Sequence, residues 1–124
     1  MKIELPIDAV PQGRPRFFRG IAYDPPASKQ FKKDVATLVN SLDKSAFFTG
    51  KIKVRIDIYK SATKFKKGVT SKRYGDIDNL AKSILDGLNG VVWQDDSQIV
   101  NLQVTKNLDA TPHIDLLIEE IPDE

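Results

Sequence analysis

Residues 51–60, KIKVRIDIYK, alternate without a break. In an extended chain Ile52, Val54, Ile56 and Ile58 leave one side, and Lys51, Lys53, Arg55 and Asp57 leave the other. A strand of that kind buries a single face, so the chain must supply a second layer to cover it. Two helical patterns do so. Phe31, Val35, Leu38, Val39 and Leu42 recur at a period near 3.6, behind an Asp24-Pro25 start. Leu80, Ile84, Leu85 and Leu88 mark a second helical face, capped by Asp78 and ended at Asn89-Gly90. Further strands are expected over Ile3, Leu5 and Ile7, over residues 99–106 and over residues 113–120, the last two flanking a turn with Asn107, Asp109 and Pro112. Gly20 marks a short hairpin. The expected fold is α+β: one domain over residues 1–124, with two main helices on a mixed sheet.

With 124 residues, such a chain buries roughly two-thirds of the surface it exposes unfolded. It holds no cysteine, which excludes disulfides and thiolate zinc sites and fits a reducing cytoplasm. The first ten residues carry Glu4 and Asp8 and lack the apolar run of a signal peptide. No apolar stretch nears the roughly 20 residues that span a bilayer, so no membrane partner is expected.

The net charge of +2 conceals a polarity. Residues 1–75 hold 17 Lys/Arg against 6 Asp/Glu, and residues 76–124 hold 2 against 11. That asymmetry points to a polyanionic partner. Within the acidic half, Asp76 and Asp78 precede the second helix, and Asp95 and Asp96 follow it by way of GVVWQ. Carboxylates brought together repel, and either take a proton or take up a cation. A hard divalent ion such as Mg²⁺, or Mn²⁺ in its place, suits an all-oxygen donor set. Lys82, four residues past Asp78, lies on about the same side of the helix and can stabilise charge developing on a phosphate. Each residue also has a plainer role: Asp78 as a helix cap, Lys82 paired with Asp86, Asp95 and Asp96 as turn residues.

The stretch GDIDNLAKSILDGLNGVVWQDDSQI resembles the signature of the RusA family of Holliday junction resolvases: D-x-D-N, a lysine four residues on, a helix, then D-D-x-Q-[IV]. The likeness is specific over residues 75–100 and looser at GRPRFF. It implies a RusA-like fold and a metal-dependent endonuclease, acting as a homodimer on four-way DNA junctions in recombination and repair. It places metal-binding carboxylates on Asp76, Asp78 and Asp96 and the catalytic lysine on Lys82. The spacing leaves open whether Asp95 also ligates.

Between residues 60 and 73 stand Lys60, Lys64, Lys66, Lys67, Lys72 and Arg73, with no acid among them. This run leads into the carboxylates and would draw in DNA phosphates, with salt-sensitive binding as the consequence. Arg14, Arg16 and Arg19, interleaved with Phe17 and Phe18, form a second basic patch, and Phe65 is the aromatic best placed to stack on exposed bases. Trp93 is expected in the core and His113, the only histidine, in a structural role. Two competing readings remain: a non-catalytic DNA-binding module, which has little use for acids beside its basic surface, and a nucleotidyltransferase, for which no Gly-rich loop is present.

Overall fold

The computed structural model describes residues 1–12, 16–23, 26–42, 47–61 and 75–122, with 16–18 and 21–23 as backbone. The alternating stretch forms β4 (Ile52–Ser61), the centre of a four-stranded sheet. Its neighbours are β6 (His113–Glu120), antiparallel, and β5 (Ile99–Asp109), parallel. β1 (Lys2–Leu5) pairs antiparallel with β6, giving the order β1-β6-β4-β5. A parallel β4–β5 pair needs a crossover. Helix α2 (Ile77–Leu88) supplies it, lying between the two strands in sequence and packed against helix α1 (Pro26–Ser41).

The core joins the even-numbered face of β4 to both helices. Ile52, Val54, Ile56 and Ile58 are fully buried, together with Val35, Val39, Leu80, Ile84, Leu88 and Trp93. The α+β class and the mixed sheet with two helices stand as expected. The hairpin forms too: β2 (Arg16–Phe18) pairs with β3 (Ile21–Tyr23) across Arg19 and Gly20. Both turn residues have positive φ, 52° and 80°, as the tightest hairpin turns demand.

Several expectations need correcting. β1 ends at Leu5, so Ile7 packs on the core from outside the strand. Leu42 lies beyond the end of α1 and is 43% exposed. Asn107 and Asp109 belong to β5, because pairing with Tyr59 and Ser61 carries the strand past the turn signals. Lys60 faces the core and is 5% exposed. Its ammonium is held by the Asp8 carboxylate at 2.6 Å and the Ala9 carbonyl at 2.7 Å, so it leaves the basic surface. His113 stacks on Tyr59 with ring centroids 4.2 Å apart. Among the described residues no helix is long and apolar enough to cross a membrane.

Candidate active site

Helix α2 begins where the chain turns sharply at Gly75. Its φ is +84°, and a Cβ there would lie 2.8 Å from the Pro11 side chain, so only glycine fits this corner. Lys106 of β5 donates to the Gly75 carbonyl at 2.9 Å, fixing the helix start beside the C-terminal half of that strand. Asp76, not Asp78, occupies the N-cap, and its side chain makes no capping hydrogen bond. Asp78 lies in the first turn. Both carboxylates are exposed at the positive end of the helix dipole, where negative charge is favoured.

From Asp78 a polar stripe runs down α2 through Lys82 to Asp86, at i, i+4 and i+8. The expected Lys82–Asp86 pair does not form. Asp86 instead meets Lys32 of α1 at 3.4 Å, and among the described residues Lys82 has no carboxylate partner. The stripe lines one side of a cavity of about 520 Å³, whose other walls are Asp96, Leu102 and Val104. Ile77, Ala81 and Leu85 complete it. Asp78, Lys82 and Asp96 thus share one cavity, while Asp76 stands outside its lining. Asp86, which the sequence offers only as a partner for Lys82, is part of the cavity lining. The i, i+4, i+8 spacing was visible, but only the fold reveals that Lys32 takes the ion pair.

The two acids after the helix do different work. Asp95 caps a short 3-10 helix (Asp96–Gln98): its carboxylate accepts from the Ser97 N–H at 3.1 Å, and Gln98 Oε1 accepts from the Asp95 N–H at 2.8 Å. Gln98 also donates to the Phe48 and Gly50 carbonyls, both at 2.9 Å, tying the turn to the approach to β4. The hydrogen bonds from Ser97 hold the exposed Asp95 carboxyl below its ordinary value of 3.8. Asp96 is half-buried beside Trp93, whose indole N–H donates to Asp96 Oδ1 at 2.7 Å. Burial pushes its pKa up, the Trp93 bond opposes the rise, and the charges of Asp86 and Asp95 add to it.

Asp78 and Asp86 are separated by about 12 Å of helix. Asp96 feels the charge of Asp86 and opens the short 3-10 helix that leads into β5. The donor set suits a hard divalent cation in kind. In arrangement, within one copy, it does not: among the described residues no three ligating side chains converge on a point. Lys64, Lys66, Lys67, Lys72, Arg73, Arg14 and Phe65 lie outside the described residues, and Arg16 is described as backbone only.

A family model described as "Endodeoxyribonuclease RusA" matches residues 6–119. A protein of Bacillus subtilis (strain 168) named "Uncharacterized protein YqaN" is 32% identical over 130 residues, an alignment covering 92% of each chain.

Proposed function

The chain belongs to the RusA family of endodeoxyribonucleases, and on that premise we propose that it is a structure-selective nuclease that resolves four-way DNA junctions by paired phosphodiester cuts. The observation that supports this most is the placement of Asp78, Lys82 and Asp96 around one cavity beside β5, the edge strand of the sheet among the described residues. A nuclease must hold a polyanion next to carboxylates, and the basic half of the chain offers the charge that offsets their repulsion. Lys64, Lys66, Lys67, Lys72 and Arg73, with Arg14 and Arg16, are the proposed phosphate contacts. Lys82 faces the cavity and among the described residues has no carboxylate partner, so its ammonium is available to stabilise negative charge building on a phosphate in flight. Asp96 is oriented by the Trp93 indole, which leaves its second oxygen for a ligand.

The cofactor in this reading is Mg²⁺, with Mn²⁺ as substitute, and Asp76, Asp78 and Asp96 are the proposed ligands. When bound, such an ion would supply an activated water and charge neutralisation at the phosphate. Among the described residues of one copy these acids do not converge on a point. The protein acts as a homodimer, since two like cuts across a two-fold junction call for two like sites. The setting is cytoplasmic.

Incubation with an end-labelled four-way junction, with and without Mg²⁺, tests the reading. Symmetric nicks that need both the junction and the ion support it. Tight binding without cleavage in Mg²⁺ or Mn²⁺ would make the protein a DNA-binding module instead.

A further inference from the structure

Among the described residues four polar side chains are buried: Ser28, Lys60, Ser61 and Ser83. Three of them donate to consecutive carbonyls of one short stretch of backbone. Lys60 of β4 takes the Ala9 carbonyl at 2.7 Å, Ser83 of α2 the Val10 carbonyl, and Ser28 of α1 the Pro11 carbonyl at 3.2 Å. Gln12, the next residue, donates its N–H to the Asn79 carbonyl in the first turn of α2 at 3.0 Å. A buried donor costs desolvation unless it is bonded, so three of them converging on one loop specify its place tightly.

That loop braces a corner. Pro11 lies so close to Gly75 that a Cβ on the glycine would come within 2.8 Å of it. From β5, the Lys106 ammonium takes the Gly75 carbonyl at 2.9 Å. Gly75 is therefore gripped by two segments distant from it in sequence. Beside it, Asp76 has the extended backbone of an N-cap, with φ −75° and ψ 145°. An aspartate there ordinarily turns its carboxylate onto the N–H of the second or third helical residue, here Asp78 or Asn79. Asp76 makes no such bond.

We propose that Lys106 and the Pro11 brace do the work of the missing cap, which makes Lys106 a positioning residue that leaves the Asp76 carboxylate uncommitted to its own helix. The inference rests on the nuclease reading above and adds a residue outside the set of carboxylates and Lys82. The Gly75 carbonyl and the Asp76 N–H share one peptide plane, so a donor on the carbonyl sets the direction in which Asp76 departs. Without that donor the plane can turn, and the carboxylate falls back onto the helix N–H groups, which attract negative charge.

Two measurements test this. Lys106→Met keeps the stem and removes the donor, and Lys106→Arg restores one. The first measurement needs no activity: the Tm loss caused by Asp76→Ala is compared in the wild-type and Lys106→Met backgrounds. It is expected to be larger in Lys106→Met by roughly 3–6 °C, because there the carboxylate has become the cap. Equal losses in the two backgrounds would overturn the exchange of cap for clamp. Pro11→Ala loosens the brace with Lys106 in place, and is expected to shift the comparison the same way, so it serves if Lys106→Met does not fold. The second measurement separates kcat from junction affinity. Lys106→Met is expected to lower kcat on the order of 10-fold with affinity unchanged, and Lys106→Arg to recover most of the loss. An unchanged kcat, or a loss confined to affinity, would overturn the positioning role. If wild type itself does not cleave, the nuclease reading fails, and the Tm comparison still decides the clamp.

Discussion

The indole nitrogen of Trp93 donates to Asp96 Oδ1 at 2.7 Å, so the fully buried tryptophan holds a carboxylate of the cavity in place. Burial raises the Asp96 pKa and this bond restrains the rise. Trp93→Phe is expected to raise it further. The Asp96 carboxyl-carbon NMR titration moves to higher pH, and the acid limb of cleavage moves with it. In the folded wild type a raised carboxyl pKa favours the protonated form. Its contribution to stability is full below the ordinary value and is lost as pH rises through the folded value. A titration that stayed in place, or moved to lower pH, would contradict this role for the indole.

Asp95 gives the opposite pH dependence. Its folded pKa lies below 3.8, so the ionised carboxylate contributes stability above that value and loses it as pH falls through the folded pKa. Asp95→Ala is expected to lower the Tm at neutral pH, with the gap to wild type closing on acidification below pH 3.8. Junction cleavage by the folded variant persists, since the carboxylate is committed to the Ser97 N–H. A Tm gap that is flat down to strong acid would show that the cap does not depend on the charge.

Lys60 serves the fold. Asp8→Ala leaves its ammonium buried with the Ala9 carbonyl, and Asp8 itself is 44% exposed. The expected loss in stability is about 1–3 kcal/mol, under the range for fully buried pairs. Chemical denaturation measures it. Junction affinity at matched salt is expected to stay the same, and a weakened affinity in the folded variant would return Lys60 to the DNA-binding surface.

Lys82→Ala is expected to lower kcat on the order of 10²-fold while junction affinity changes little, because the charge matters most as the transition state forms. Single-turnover cleavage and a gel-shift titration separate the two. A loss confined to affinity would make Lys82 a docking residue.

Much of this was legible in the residues, and the gaps have physical causes. Strict alternation predicted β4, and the spacing of Leu80, Ile84 and Leu88 predicted α2, because burial of one face imposes a period. Lys60 shares the parity of Ile52 to Ile58, so its inward direction was readable. Its partner was not, since Asp8 comes from a distant segment. The Asp86–Lys32 pair is likewise tertiary, whereas the i+4 rule sees only neighbours on one helix. Asp95 and Asp96 are adjacent in sequence but differ through capping and burial, which spacing does not encode. The parallel partnership of β4 and β5 is set by the crossover through α2, and no local pattern carried it.

The most direct measurement is junction cleavage by Asp76→Asn, Asp78→Asn and Asp96→Asn, each shown to be folded and each assayed for binding in parallel. The account predicts that all three lose cleavage in Mg²⁺ while binding holds or tightens, since each removes a ligand and a negative charge near the phosphates. Normal cleavage by any two of the three would contradict it.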